Sequence, residues 1–135
     1  MWEEIIQAGR DPFKWIKKWR AETGKKIIGI NPIDTPEELI EAVDLHPYVM
    51  LTTDKPVEKA AAYLVPNACS FVKGFLDDAL TIYPGVIDGY IISQICDLTR
   101  TLSCIWKENV KAEFIEDFLI PKQTTLPSAR EYLRN

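Results

Sequence analysis

The spacing of apolar residues changes several times along the chain, and these changes predict an alternation of helices and strands. Near the amino terminus, three apolar residues recur at three-residue steps, as on one face of a helix: Phe13, Ile16 and Trp19. Asp11 can cap this helix with Pro12 at its first position, and Gly24 can end it. The sequence therefore predicts a helical amino-terminal segment over residues 1–24.

Four short apolar stretches beyond this segment have the composition of strands. They are residues 27–30, 48–52, 86–93 and 114–120. Helices are predicted between and after them, namely one that begins after Thr35, then 56–64, 67–80, 97–107 and a last one near Pro127. Strands that alternate with helices favour an α/β domain over residues 25–135. The predicted fold is an open, mainly parallel sheet flanked by helices, with a helical amino-terminal extension.

Two of the predicted helix starts carry capping residues. Thr35 and Glu38 have the spacing of a capping box. The apolar stripe of their helix is predicted to comprise Leu39, Ile40 and Val43. Asp97 is predicted to cap the helix that runs to about residue 107. In an open α/β sheet, ligands bind beyond the carboxyl ends of strands, where loops lead into such helix starts.

Two of the three cysteines lie at positions of this kind. Cys96 falls between a predicted strand and the following helix, and Cys69 falls in the first turn of another helix. The partial positive charge of a helix amino terminus stabilises a thiolate or an anionic iron–sulfur cluster. Cys104 lies about 12 Å further along the helix axis than Cys96 and is interpreted as a core residue. Cys69 and Cys96 do not have CxxC spacing, so the alternative for them too is burial as small apolar residues.

Composition and charge exclude several classes of function. The 135 residues form one domain with an ordinary 47% of apolar and 27% of charged residues, and the net charge is −4. An acidic chain is unsuited to general binding of nucleic acid. No apolar run approaches the ~18 residues of a membrane span, and the charged amino terminus is not a signal peptide. We therefore expect a cytoplasmic protein that binds neither nucleic acid nor a membrane.

The positive charge is concentrated near the amino terminus. Residues 1–30 carry seven basic and four acidic side chains. A solvated amphipathic helix explains this excess, and a docking surface is the alternative. Three of the four tryptophans lie in the same region, at helical spacing, and are interpreted as packing residues: Trp2, Trp15 and Trp19.

Several common catalytic motifs are absent from the sequence. It contains neither GxGxxG nor GxxxxGK[ST], so any ATP chemistry must come from a partner. The single histidine, His46, precedes Pro47 and is interpreted as a turn residue. One histidine gives little basis for a Ser-His-Asp or Cys-His hydrolase.

Three segments together resemble a known family. They read WIKKWRAETGKKIIGINPIDTPEELIEAV, then YL…ACSFVKGFLDDAL, then IDGYIISQICDLTRTLSCIWK. This order is similar to the amino-terminal part of the benzoyl-CoA reductase and 2-hydroxyacyl-CoA dehydratase subunits. The most specific pieces are PEELI at 36–40 and the pattern CD-x-x-R-x-L-x-x-x-W at 96–106. The W…TGKK and LSCIWK segments look closer to the reductase branch.

The resemblance implies an iron–sulfur protein. Family subunits hold a [4Fe-4S] cluster through three cysteines, and Cys69 and Cys96 match the first two ligands. The third ligand belongs to a carboxyl-terminal domain that is absent from this chain. Because the chain stops at Asn135 just as a helix begins, we expect it to be the front part of a longer protein.

The resemblance also implies partners and a reaction. Family enzymes combine two related subunits, receive single electrons from an ATP-dependent iron–sulfur activator, and form a ketyl radical on an acyl-CoA substrate. Glu38 occupies the PEELI position near the active site, where it could assist proton movement or orientation; the alternative is a helix cap with Thr35. Asp44 replaces a usual glycine, which could reshape the neighbouring loop. The alternative to an enzyme component is a truncated, non-catalytic domain that binds a partner and carries no cluster.

Overall fold

A four-stranded parallel sheet forms the centre of the protein. The computed structural model describes residues 2–52 and 55–119, together with Pro127 and Arg130. The strands are β1 (Ile27–Ile30), β2 (His46–Val49), β3 (Gly89–Ser93) and β4 (Phe114–Phe118). They lie in the order β2-β1-β3-β4, and every neighbouring pair is parallel. The predicted α/β class is therefore confirmed.

Five α-helices accompany the sheet in the described part of the chain. They are α1 (Trp2–Arg10), α2 (Pro12–Thr23), α3 (Glu37–Ala42), α4 (Ser70–Thr81) and α5 (Asp97–Asn109). The helical amino terminus is confirmed. Asp11 caps α2 by accepting a hydrogen bond from the backbone N–H of Lys14 at 3.0 Å. Gly24 ends α2 with a left-handed φ of 69°, as glycine does at little cost.

Helices cover both faces of the sheet. On one face, Ile16 of α2, Phe75 of α4 and Trp106 of α5 belong to the main core. The ring of Trp106 stacks on Phe75 at 5.0 Å and meets the edge of Tyr90 of β3 at 4.7 Å. On the other face, Ile40 of α3 packs with Ile28 and Ile30 of β1 in a smaller core. No helix in the described ranges is long and apolar enough to cross a membrane.

A partly buried ion pair joins the amino-terminal helices to the sheet. Arg20 of α2 donates from Nη2 to Asp88 Oδ1 at 2.7 Å. The other carboxylate oxygen, Asp88 Oδ2, accepts from the backbone N–H of Ile27 at 2.8 Å, where β1 begins. The same carboxylate thus links α2, the start of β1 and the start of β3 at the amino-terminal edge of the sheet.

Several predicted boundaries are wrong. The predicted helix over 56–64 is only a 3-10 turn at Ala60–Ala62. The reason is that the buried carboxylate of Asp77 accepts hydrogen bonds from three consecutive backbone N–H groups. They belong to Glu58, Lys59 and Ala60, at 3.0, 2.6 and 2.8 Å. His46 begins β2 instead of forming a turn, and its ring stacks on Trp19 at 3.9 Å. The last predicted helix, near Pro127, lies outside the described residues except for Pro127 and Arg130, which are helical.

The three amino-terminal tryptophans differ in their exposure. Trp19 is a packing residue, as predicted, and its ring stacks on His46. Trp2 is 75% exposed and Trp15 is 38% exposed, so their interpretation as packing residues is wrong. For Trp2 the reason is that α1 buries none of its residues, although its apolar residues share one face; Trp15 belongs to α2, which buries Ile16 instead.

Candidate functional site

The carboxyl ends of β1 and β3 form a topological switch point. These two strands are neighbours, but the chain leaves β1 toward β2 and leaves β3 toward β4. The chain thus leaves these two strands in opposite directions, and open α/β sheets commonly bind ligands at such a point. The loop after β1 leads to α3, and the loop after β3 leads to α5.

A buried asparagine joins the two strands at this switch point. Asn31 directly follows β1, and its Oδ1 accepts from the backbone N–H of Ser93 at 2.7 Å. Its Nδ2 donates to the carbonyl of Ser93 at 3.1 Å, and the Ser93 hydroxyl donates to the carbonyl of Ile33. This pair was not predicted from the sequence. An Asn-Pro step directly after a buried strand was the available signal, but by itself it predicts only a loop.

Cys96 is the N-cap residue of α5, and its side chain is exposed. Its sulfur accepts from the backbone N–H of Thr99, while Thr99 Oγ1 accepts from the backbone N–H groups of Ile95 and Cys96, each at 3.0 Å. Asp97 is therefore not the cap, because Cys96 and Thr99 form the capping box themselves. The hydrogen bond from the Thr99 backbone lowers the pKa of the Cys96 thiol, which favours a thiolate at this position.

Cys69 occupies the equivalent place on the neighbouring helix. It is the N-cap residue of α4, its side chain is exposed, and no side-chain hydrogen bond accompanies the cap. α4 leads into β3 and α5 follows β3, so in a parallel sheet both helices begin at the carboxyl edge. The two helices pack together through Phe75 and Trp106. Both cysteines thus lie at the amino termini of adjacent helices on the same edge of the sheet.

Cys104 is exposed, so its interpretation as a core residue is wrong. The buried face of α5 is formed by residues that recur at helical spacing: Thr99, Leu102, Ser103 and Trp106. Cys104 falls beside this face instead of on it. Its exposure leaves it as a third free thiol, distant from the start of α5.

Glu38 is exposed in the first turn of α3, which follows β1 and begins at the carboxyl edge. The capping box with Thr35 does not form. Pro36 is the N-cap residue without a side-chain hydrogen bond, and the Thr35 hydroxyl donates to the carbonyl of Asn31 at 3.4 Å. The cap interpretation of Glu38 is therefore wrong. Asp44 adopts a left-handed φ of 63°, a conformation that suits glycine, and its carboxylate pairs with Lys25.

Comparison with known proteins identifies the family. The family model described as "2-hydroxyglutaryl-CoA dehydratase, D-component" matches residues 32–135. This chain belongs to that family. The matched range includes Glu38, Cys69 and Cys96, whereas α1, α2 and β1 precede it.

Several curated relatives resemble the chain over most of its length. It is 29% identical to the (R)-phenyllactyl-CoA dehydratase beta subunit of Clostridium sporogenes, over 93% of the chain and 33% of that protein. It is 30% identical to the beta subunit of lactoyl-CoA dehydratase of Anaerotignum propionicum, over 96% of the chain and 34% of that protein. It is 24% identical to one of the benzoyl-CoA reductase subunits of Thauera aromatica, over 82% of the chain and 29% of that protein.

The matches differ in coverage and in identity. The chain spans about a third of the length of the curated relatives it matches. Its identity to the two dehydratase subunits is higher than to the reductase subunit, which does not support the predicted preference for the reductase branch.

The described residues do not complete a metal site by themselves. Within residues 2–52 and 55–119, no group of three or more His, Cys, Asp or Glu side chains could hold a metal ion. Because all three cysteines of the sequence lie in these ranges, a cluster held by three cysteines would need a cysteine that residues 1–135 do not contain.

Proposed function

We propose that this chain is the amino-terminal domain of an iron–sulfur subunit of an acyl-CoA reductase or 2-hydroxyacyl-CoA dehydratase. One observation carries the proposal: Cys69 and Cys96 are exposed N-cap residues of adjacent helices at the ligand-binding edge of the sheet. The relatives named above act on CoA thioesters, as their names state. The substrate class is accordingly an acyl-CoA.

In this proposal, Cys69 and Cys96 supply two of the three ligands of a [4Fe-4S] cluster. Thiolates are the usual ligands of such clusters, and the hydrogen bond from Thr99 already favours the thiolate of Cys96. The third cysteine comes from outside residues 1–135, whose only other cysteine is Cys104. When bound, the cluster would supply single electrons to the thioester carbonyl, which is the basis of ketyl-radical chemistry.

The remaining residues of the site position these ligands and the substrate. Thr99 holds the backbone of Cys96, and the Asn31–Ser93 pair joins the loops that follow β1 and β3. Glu38 is proposed to move a proton or to orient the substrate. In the complete enzyme, Glu38→Gln should lower kcat without changing the iron content, whereas loss of iron would show a structural role.

The proposed partners follow from the short length of the chain relative to its relatives. A related second subunit or a carboxyl-terminal domain would complete the cluster site and the substrate cleft. The electrons would come from an ATP-dependent iron–sulfur activator, in the cytoplasm. This requirement agrees with the lack of a phosphate-binding loop in the sequence.

Iron and acid-labile sulfide analysis of protein prepared without oxygen tests the cluster assignment. We expect a brown protein with about four irons per chain or per dimer, and loss of this iron in Cys69→Ser and in Cys96→Ser. Cys104→Ser is the matched control, since Cys104 is also exposed but lies away from the helix start. Unchanged iron content in Cys96→Ser would contradict the assignment.

The alternative is a non-catalytic, partner-binding domain without its own cluster. The observation that favours it is the absence of a three-ligand metal site among residues 2–52 and 55–119. A folded, colourless and iron-free protein that still binds a companion subunit would support this alternative. The same iron analysis therefore separates the two functions.

A further inference from the structure

A pocket of about 540 Å³ lies beside the edge strand β2. Its walls come from the junction of α1 with α2, from β2 and the residues after it, and from the end of α4. None of the proposed site residues Glu38, Cys69 and Cys96 lines it. Two lining residues, Ile82 and Tyr83, follow the last turn of α4, about 18 Å along the helix axis from its start at Cys69. We refer to this cavity as the β2 pocket.

One wall of the β2 pocket is aromatic and belongs to the main core. Tyr83 is only 3% exposed. Its ring lies against Phe13 of α2, with centroids 6.1 Å apart, and makes a T-shaped contact with Tyr48 of β2 at 5.7 Å. Pro12 and Ile82 add further apolar surface. A pocket of this volume with an apolar wall suits the hydrocarbon part of a small molecule.

Hydroxyl groups supply hydrogen-bonding positions in the same pocket. Burial raises the pKa of both Tyr48 and Tyr83, and the hydrogen bond between their side chains raises the pKa of Tyr83 further while it opposes the rise at Tyr48. These directions make Tyr83 the donor, because donation stabilises the protonated phenol. The Tyr48 hydroxyl therefore keeps its own hydrogen for another acceptor. Thr52, which follows β2, contributes a further hydroxyl to the lining.

Two cationic side chains line the β2 pocket. Arg10 ends α1, Lys55 follows β2, and both are exposed. Neither side chain forms an ion pair or a hydrogen bond with any residue that the structure describes. Asp11 carries the only carboxylate among the described lining residues, and it already accepts the capping hydrogen bond from the Lys14 N–H at 3.0 Å. The charges of this lining therefore favour an anion.

We propose that the β2 pocket binds a small organic anion, whose charged group lies beside Arg10 and Lys55 and whose apolar part lies against Phe13 and Tyr83. A guanidinium group can hold a carboxylate or a phosphate through two N–H groups at once. The Tyr48 hydroxyl can donate to the same charged group. A bare anion makes only the polar contacts, and a neutral molecule lacks the ionic ones, so the pocket should prefer a ligand that combines both. The proposal does not depend on the iron–sulfur assignment.

Two-dimensional NMR of the isotope-labelled chain, in a buffer without carboxylate or phosphate, tests this proposal with 3-phenylpropanoate as the probe. We expect saturable binding with a Kd of about 1 mM or below, and shifts of the backbone N–H signals of Gly9, Tyr48 and Lys55. The neutral 3-phenylpropanamide should bind at least about tenfold more weakly, because it lacks the charge. Inorganic phosphate should also bind at least about tenfold more weakly, because it lacks the apolar part. Equal affinity for either of these two molecules, or no saturable shift of the three signals, would overturn the proposal.

Substitutions that remove charge locate the bound anion. Arg10→Gln and Lys55→Gln should each weaken the binding of 3-phenylpropanoate by about fivefold or more. Lys111→Gln is the matched control and should leave the affinity unchanged, since Lys111 is likewise an exposed cation but follows α5 and does not line the β2 pocket. Circular dichroism checks that the three variants are folded, which their exposed positions favour. Wild-type affinity in both Arg10→Gln and Lys55→Gln would overturn the placement of the charged group.

Discussion

The two edges of the sheet use their polar side chains differently. At the amino edge, the carboxylate of Asp88 is largely buried and accepts hydrogen bonds from Arg20 and from the start of β1. At the carboxyl edge, the buried Asn31 pairs with Ser93, but Cys69 and Cys96 remain exposed above it. The comparison shows that the polar side chains of the amino edge hold helices and strands together. At the carboxyl edge, the Asn31–Ser93 pair is a rigid support, and the cysteine side chains are accessible to a ligand.

The largest effect is expected from the amino edge. Asp88→Ala should lower the free energy of unfolding by about 3 kcal/mol, because Arg20 and the Ile27 N–H then lose a partly buried partner. Chemical denaturation measures this change. Glu113→Ala is the matched control at the same edge: its ion pair with Lys26 is exposed, so its removal should cost less than about 1 kcal/mol. Equal effects of the two substitutions would contradict the distinction between the edges.

Asn31→Ala should weaken the support of the carboxyl edge. We expect a loss of about 2 kcal/mol in unfolding free energy, since the backbone N–H of Ser93 remains buried without its acceptor, whereas the Ser93 carbonyl keeps the hydrogen bond from the Ile95 N–H. Ser93→Ala removes only the hydroxyl bond to Ile33 and should cost about 1 kcal/mol. If Asn31→Ala were as stable as the wild type, the switch point would not depend on this pair.

Thr99→Val should alter both the stability and the reactivity of the start of α5. Loss of the Oγ1 acceptor should cost about 1 kcal/mol of unfolding free energy. The pKa of the Cys96 thiol should rise toward its ordinary value, because the Thr99 side chain contributes to lowering it. Alkylation by iodoacetamide at several pH values, read out by mass spectrometry, measures the thiolate of each cysteine. As the pH is lowered, Cys96 of the wild type should stay reactive to a lower pH than a free thiol does. In the variant this difference should be smaller.

The smallest effect concerns His46, at the start of β2. Burial lowers the pKa of its imidazole, so the unfolded chain binds a proton more readily than the folded chain. The resulting stability is complete above the ordinary histidine pKa of about 6.5 and is lost as the pH falls below it. We expect a small decrease in the free energy of unfolding between pH 7 and pH 5, because the imidazole is only partly buried. His46→Phe, which retains an aromatic ring to stack on Trp19, should remove this part of the pH dependence; an identical pH profile in both proteins would contradict it.

Features that depend on neighbouring residues could be predicted from the sequence. Asp11 and Gly24 mark the ends of α2 correctly, because a cap and a left-handed turn require specific residue types within one helical turn. The starts of α4 and α5 beside Cys69 and Cys96 are likewise local, so the placement of these cysteines at the edge of the sheet followed from the alternation of strands and helices.

Features that depend on which surfaces meet could not be predicted in this way. Asn31 and Ser93 are 62 residues apart, and Arg20 and Asp88 are 68 residues apart, so neither pair leaves a signal in local spacing. The exposure of Cys104 depends on which face of α5 packs on the core. The apolar residues of α1 have the spacing of a buried face, yet the described residues leave them uncovered.

The sequence by itself determined the order of the elements, the parallel α/β class and the family, since these follow from residue type, periodicity and motif. The tertiary structure decided that Thr99 and not Asp97 completes the cap at Cys96, that Glu38 is free of a capping role, and that Asn31 closes the switch point. The physical reason is that hydrogen-bond partners and burial are set by packing between segments distant in the chain, whereas helix and strand tendencies are set by neighbours.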